Sequence, residues 1–337
     1  MNILLNGVGR VGKAIVRIAN TFENINIVAI NELNSNIENI AYSINYDSTY
    51  GRFEDKYVVK NNFIENSKNR IEILNFKSFT QIDFTKYDID IVVDASGSKI
   101  DIDELKKLNV PKILLTHPNK NADINVILGV NEKELQKSSH RIISTSSCNA
   151  TALLPVLKII DEAFTIEYGD VTTIHPLLNH QKTLDSGCIG SLDRDVACNF
   201  EFGRSALTNI IPSRTTTIDA CSYILKNINK DAISSSSFRV PTTTVGAINV
   251  VLNLQKETTK ETIIELLKNY QSIQKFKILH NNFEPLVSSD FAKEEYTSIV
   301  DHRFTQIQKN KMLKLVLWYD NEWGYASKVV EIINKIF

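Results

Sequence analysis

The sequence has no excess of charge of either sign. Its 337 residues carry 38 basic and 39 acidic side chains, a net charge of -1. Nothing in that balance would hold nucleic acid or an anionic membrane by electrostatics. Cysteine is sparse, with only Cys148, Cys188, Cys198 and Cys221. No CxxC pair and no metal-ligand spacing occurs, so neither a metal site nor a disulfide framework is expected. That usage fits a reducing cytosol. No apolar run is long enough to span a bilayer. Met1 leads straight into a strand pattern, without a basic and apolar signal segment, so a cytoplasmic protein is expected. Internal repeats are absent, and the abundance of Asn, Ile and Lys is compositional bias. What is present is ordinary for a soluble globular protein, with 43% hydrophobic and 23% charged residues. The length suits two domains better than one core.

One stretch organises the chain: Ile143-Ser-Thr-Ser-Ser-Cys148-Asn-Ala-Thr-Ala-Leu-Leu-Pro155. An apolar run, Arg141 to Ser144, gives way to small polar residues. A helical pattern of Leu153, Leu154, Val156, Leu157, Ile159, Ile160 and Ala163 follows. Cys148 is thereby expected at or near a helix N-terminus, where unpaired N–H groups and the dipole favour an anion. Such a position lowers a thiol pKa below its free value of about 8.5. A lone Cys is more often a small buried thiol. The Ser/Thr surround and the helix start argue against burial here.

The N-terminus carries a second signal. The strand run Asn2–Asn6 precedes Gly7-Val-Gly9-Arg10-Val11-Gly12, and a helical pattern follows from Lys13 to Ala19. This is GxGxxG between a strand and a helix, the context in which glycines admit a pyrophosphate at the helix N-terminus. A second strand run, Ile25–Ile30, ends at Asn31-Glu32. An acid at Glu32 would accept from a ribose 2′-hydroxyl and repel a 2′-phosphate, which favours NAD over NADP. Further strand runs at residues 90–95, 112–116, 124–128 and 141–144 alternate with helical patterns. That order predicts a doubly wound α/β domain with a largely parallel sheet. Ligands bind beyond the carboxyl ends of such strands, so Ser96, Gly97 and Thr116 are candidate cofactor contacts, although each suits an ordinary turn equally well.

Past Cys148 the pattern changes. Asp170-Val-Thr-Thr-Ile-His175 is a strand ending in His. Residues 179–212 form a long polar stretch with few strand or helix signals, a length usually functional or interfacial. Strands at residues 245–254, 298–301 and 312–319 and a helix at 260–270, opened by a capping-box-like Thr258-Thr-Lys-Glu261, indicate an α+β domain with a mixed or antiparallel sheet. The last helix carries an apolar stripe, Val329, Val330, Ile333, Ile336 and Phe337, that must pack on something.

Taken together, Asn6-Gly-Val-Gly-Arg-Val-Gly12, Asn31-Glu32, Tyr46-Asp-Ser-Thr-Tyr-Gly51, Ser147-Cys148, Thr173-Ile-His175, Asn209-Ile-Ile-Pro212, Arg239-Val-Pro-Thr242, Ser288-Ser-Asp-Phe291 and Trp318-Tyr-Asp-Asn-Glu-Trp-Gly324 resemble the phosphorylating glyceraldehyde-3-phosphate and erythrose-4-phosphate dehydrogenases. The match runs nearly end to end. The resemblance implies an α/β Rossmann NAD-binding domain over residues 1–147, with the C-terminal helix 321–337 packed back on it, and an α+β catalytic domain over 148–320. It implies NAD-dependent oxidation of a sugar-phosphate aldehyde, with inorganic phosphate as second substrate, in a cytosolic homotetramer. Cys148 would be the nucleophile and His175 its base. Gly7, Gly9, Arg10, Val11, Gly12, Glu32, Ser96, Gly97, Thr116, Asn321 and Tyr325 would hold NAD. Ser147, Asn149, Thr215 and Arg239 would meet substrate or phosphate.

Departures cluster at the phosphate positions. The family's Ser-Cys-Thr-Thr-Asn is Ser147-Cys148-Asn149-Ala150-Thr151 here, and Asn149 could donate where the first Thr does. Leu178 stands where a phosphate-binding Thr is usual, and Glu201 where an Arg is expected, with Arg194 and Arg214 as candidate replacements. Four readings stay open: a triose-phosphate dehydrogenase, its erythrose-4-phosphate counterpart, a non-phosphorylating form, and an NAD-binding regulatory protein with altered catalysis. The erythrose branch is favoured by Asn31-Glu-Leu33, His117-Pro118, Leu178 and Pro285-Leu-Val-Ser288.

Overall fold

The computed structural model describes all residues other than 34, 99, 188–199, 216, 226 and 337. The chain divides into two compact units. The first comprises Met1–Val126, Lys133–Ser147 and Tyr325–Phe337, and the second Ile127–Glu132 and Cys148–Gly324. The short excursion at residues 127–132 leaves the first unit because Ile127 and Val130 are buried among the side chains of the second unit's core.

In the first unit, β1 (Asn2–Asn6) runs into α1 (Arg10–Ala19), and β2 (Asn26–Asn31) into α2 (Ile37–Asn45). A small hairpin, β3 (Tyr46–Asp47) with β4 (Gly51–Arg52), follows. Then come β5 (Val58–Lys60), β6 (Phe63–Glu65), β7 (Arg70–Leu74), β8 (Ile91–Asp94), α3 (Ile102–Lys107), β9 (Lys112–Leu115), β10 (Ile124–Asn125) and β11 (Ile142–Ser144). Nine of these strands form one sheet in the order β10-β11-β9-β8-β1-β2-β7-β6-β5. Its centre is parallel, and β5, β6 and β7 pair antiparallel at one edge. The apolar runs are buried on both faces, as parallel strands require: Leu4, Val92, Ile113 and Leu115 share a core with Ile102 and Leu105 of α3. The strand expected over 124–128 ends at Asn125. The Ile127 N–H turns instead to the Asn131 side chain at 2.9 Å, which closes a loop there.

The second unit opens with α4 (Cys148–Phe164), followed by β12 (Ile166–His175). After it come β13 (Ile211–Ser213), α5 (Thr217–Ile224), β14 (Ile233–Arg239), β15 (Gly246–Leu254), α6 (Lys260–Ile273), β16 (Leu279–Asn282), β17 (Ser298–Asp301), β18 (Gln306–Gln308), β19 (Met312–Tyr319) and α7 (Trp323–Ile336), whose greater part belongs to the first unit. The sheet order is β13-β14-β12-β15-β19-β17-β16, with β18 beside β19. Two pairings, β12 with β14 and β16 with β17, are parallel and the rest antiparallel, so the sheet is mixed. Alternate residues of β15, Ile248, Val250 and Leu252, join the buried face of α4 in one core. The α6 cap is Thr259, whose side chain accepts from Thr262 N, one residue later than the capping box read from sequence. Arg194, Cys188 and Cys198 lie outside the described residues.

Candidate active site

Cys148 is the first residue of α4. Ser146 reaches it through a left-handed backbone, φ 59, which a Ser adopts only when its surroundings hold it there. The hydroxyl of Tyr325 donates to the Ser146 carbonyl at 3.1 Å and lies 2.7 Å from the Thr145 hydroxyl. Tyr325, expected beside the cofactor, therefore braces the turn that delivers Ser147 and Cys148.

His175 ends β12 and Arg239 ends β14, and the two are register partners across the parallel pair. The Cys148 sulfur lies 3.8 Å from His175 Nε2, and His175 Nδ1 lies 2.8 Å from the Pro176 carbonyl oxygen. A carbonyl can only accept, so Nδ1 carries the proton of the neutral ring. Nε2 then faces the thiol with its lone pair, ready to take a proton. Burial pushes the His175 pKa down to about 3, and the neighbouring Arg239 charge adds to that.

The thiol does not follow the expectation of a lowered pKa. Burial pushes it up to about 11, while Arg239 and the N–H groups of Asn149 and Cys148 pull it down and Glu322 opposes them. The helix start and the cation act in the expected direction, but desolvation outweighs them. Both shifts, driven by burial, act in favour of the uncharged thiol and imidazole. Arg239 stands next to it with Nε and Nη1 buried and without a hydrogen-bond partner. Its own pKa is lowered by burial, with Tyr319 and Cys148 working the other way. A buried guanidinium with idle donors is suited to an anion.

Asn149 is buried, and its Oδ1 accepts from the Tyr319 hydroxyl at 2.6 Å and lies 3.5 Å from the Cys148 sulfur. Thr215 lies two residues before α5, where its hydroxyl accepts from Thr217 N at 3.3 Å and meets the Thr217 hydroxyl at 2.7 Å. Asn321 is buried, with Oδ1 accepting from the Thr244 hydroxyl at 3.3 Å. Leu178 presents its N–H to Gln181 Oε1 at 2.8 Å.

In the first unit, the ends of β1, β2, β8 and β9 fall level, since Asn6 pairs with Asn31 and Asp94, and Asp94 with Leu115. Gly7, Glu32, Ser96, Gly97 and Thr116 therefore lie together past the carboxyl ends of the sheet's central strands. Gly7 has φ +90, and a Cβ on it would come within 2.5 Å of the Ser96 backbone. A Cβ on Gly12 would come within 2.2 Å of Gly7 O. Gly9 faces open space and caps α1 without a side-chain bond, so the helix N-terminus beside Arg10 and Val11 stays open to a phosphate. The Glu32 carboxylate accepts from Val8 N at 2.9 Å, which fixes it beside the loop. Ser96 donates to Asp94 Oδ1 at 2.8 Å, and the Thr116 hydroxyl to Asp94 O at 2.9 Å. Arg10 pairs with Asp47. Burial raises the Asp47 pKa, but donation from Tyr50 N–H, Arg10 and Thr49 N–H outweighs it and brings the value to about 2. These residues fit NAD: the close-packed glycines, the uncapped helix start and the fixed acid are its requirements.

Tyr319, Gly246 and Asp47 are site residues that sequence reasoning left without a role. Tyr319 read as the end of an apolar strand run and as part of a family motif without a role of its own, and a side chain that crosses to a residue on α4 has no local signal.

Two family descriptions match the chain. Residues 1–102 match the glyceraldehyde 3-phosphate dehydrogenase NAD binding domain, and residues 147–321 match the C-terminal domain of the same enzyme. Glyceraldehyde-3-phosphate dehydrogenase 2 of Bacillus subtilis (strain 168) is 34% identical, covering 100% of this chain and 96% of the relative. Glyceraldehyde-3-phosphate dehydrogenase 2 of Staphylococcus aureus (strain MRSA252) is 32% identical over 99% of this chain and 95% of its own. Glyceraldehyde-3-phosphate dehydrogenase of Eremothecium gossypii is 32% identical over 100% and 99%. The chain belongs to the glyceraldehyde-3-phosphate dehydrogenase family and is an NAD-dependent phosphorylating dehydrogenase of that type.

Proposed function

We propose that this enzyme oxidises D-glyceraldehyde 3-phosphate to 1,3-bisphosphoglycerate through a thioester on Cys148. The observation that carries this reading is the 3.8 Å approach of Cys148 Sγ to a His175 Nε2 whose lone pair faces it. Sγ bonds the aldehyde carbon, and the thiol proton passes by way of Nε2 to the carbonyl oxygen, giving a hemithioacetal. The Cys148 N–H at the head of α4 donates to that oxygen while it carries charge. NAD, when bound, supplies a hydride acceptor. His175 takes back the hydroxyl proton as the carbon is oxidised, and a thioester remains. An oxygen of inorganic phosphate then attacks the carbonyl carbon, the C–S bond breaks, and the sulfur leaves as the thiolate. Arg239, with two buried donors idle, is the cation for a phosphate group of substrate or attacking phosphate.

Gly7, Gly9, Arg10, Val11, Gly12, Glu32, Ser96, Gly97 and Thr116 would hold NAD in the first unit, with Asn321 and Tyr325 toward the nicotinamide. Ser147, Asn149 and Thr215 complete the substrate set in this reading. Leu178, which has no donor beyond its backbone, favours erythrose 4-phosphate as the competing substrate. Assembly as a homotetramer is supported by the outward apolar pair Ile174 and Phe238, cross-strand partners that are 41% and 37% exposed. The test is phosphate-dependent NADH formation with the two sugar phosphates. A higher kcat/KM for glyceraldehyde 3-phosphate supports the reading, and a higher value for erythrose 4-phosphate overturns the choice of substrate.

A further inference from the structure

The chain segments that follow β12 and β14 leave the sheet side by side. The Val240 N–H donates to the His175 carbonyl at 3.0 Å, and the Leu177 N–H donates to the Thr242 carbonyl at 2.9 Å. The first segment then turns on itself. The Gln181 N–H donates to the Leu178 carbonyl at 3.0 Å, and the Leu178 N–H donates to Gln181 Oε1 at 2.8 Å. An N–H must meet an oxygen, so this second bond fixes which way round the Gln181 amide lies. Its Nε2, with two N–H groups, is left to meet something else. That nitrogen is buried without a hydrogen-bond partner, and the same holds for Thr242 Oγ1 and for Arg239 Nε and Nη1. A buried donor left unmet is destabilising. Four such atoms on two bonded segments point to a shared ligand. All four can donate, only the Thr242 hydroxyl can also accept, and Arg239 brings a positive charge. The complement of that set is an anion rich in acceptor oxygens.

We propose that Gln181 and Thr242 join Arg239 in binding one phosphate group, that of the sugar phosphate or the inorganic phosphate that attacks the thioester. The proposal rests on Arg239 being the cation for phosphate, and adds two neutral donors to it. Leu178, which has no donor in its side chain, acts through its N–H by turning the Gln181 amide. Gln181 is thereby a specificity-determining residue for the phosphorylated partner.

The deciding variant is Gln181→Glu. It keeps the side-chain length and the oxygen that the Leu178 N–H meets, and it replaces the donating nitrogen by a charged acceptor. Thr242→Val removes the hydroxyl at nearly constant shape, and decides alone if Gln181→Glu does not fold by near-UV circular dichroism. In the full-length enzyme with NAD, KM is measured for glyceraldehyde 3-phosphate and for inorganic phosphate, each varied in turn. The kcat/KM for glyceraldehyde 3-phosphate is also compared with that for unphosphorylated glyceraldehyde at saturating phosphate. Gln181→Glu should raise one KM roughly 10- to 100-fold, and Thr242→Val roughly 3- to 10-fold. A rise for glyceraldehyde 3-phosphate, with a smaller preference over glyceraldehyde, assigns the site to the sugar phosphate. A rise for inorganic phosphate alone assigns it to the attacking anion. Unchanged KM values for both in a folded variant overturn the proposal. So does an equal loss for glyceraldehyde and its 3-phosphate with no change in the KM for inorganic phosphate. Unchanged KM values in Arg239→Gln would instead remove the cation beneath it.

Discussion

Gly246 and Tyr319 face one another across neighbouring antiparallel strands, and a Cβ on Gly246 would come within 2.5 Å of the Tyr319 ring. The ring is buried at the end of its strand, with its hydroxyl on Asn149. No flexible tip is available to give way.

Gly246→Ala should therefore cost roughly 1–3 kcal/mol of stability, the usual range for overpacking a core. Urea denaturation measures this cost, and an unchanged midpoint concentration would contradict the contact.

The two buried histidines give a sign to the acid limb. Burial pushes His175 down to about 3 and His302 down to about 4. Both bind fewer protons in the folded than in the unfolded chain between those values and about 6.5. Their stabilisation is present above that value and lost as pH falls toward the folded pKa, at up to about 1.4 kcal/mol per pH unit each. Cys148, pushed up to about 11, acts in the opposite sense: its contribution is lost as pH rises from about 9 toward that value. His175→Asn should flatten the acid slope in denaturation from pH 4 to 7. Equal slopes in variant and wild type would contradict the burial of that ring.

Arg239→Gln should raise the KM for sugar phosphate or for inorganic phosphate roughly 10- to 100-fold, since a charge-assisted bond to an anion is lost. The dissociation constant for NAD should stay as it is. Steady-state kinetics with each substrate varied in turn checks this, and unchanged KM values for both would remove Arg239 from the anion site.

Glu32→Ala removes the acceptor that Val8 N–H meets at 2.9 Å and the carboxylate expected at the ribose. NAD should bind roughly 10-fold more weakly, and the preference for NAD over NADP should shrink. Calorimetric titration of both dinucleotides reads this directly, and an unchanged preference would place the discrimination elsewhere.

Much of the first unit was legible because its signals are local. Gly7, Gly9 and Gly12 sit between a strand and a helix, and Glu32 ends the next strand, so a short window holds each feature. The Cys148 helix was legible for the same reason. The sign of the thiol shift was not, because desolvation depends on what packs around the sulfur after folding. Tyr319 and Asn149 are 170 positions apart, and no window joins them. The partner that orients Asn149 beside the thiol therefore emerged only from the fold. The short β10 escaped the periodicity too, since Asn131 diverts a backbone N–H that the pattern assigned to the sheet.

The most direct test of the central claim is to mix the enzyme with NAD and D-glyceraldehyde 3-phosphate in the absence of phosphate and weigh the protein. The account predicts an acyl adduct on Cys148, accompanied by one equivalent of NADH and discharged on adding inorganic phosphate. No adduct on Cys148 in an enzyme that still forms NADH would contradict it.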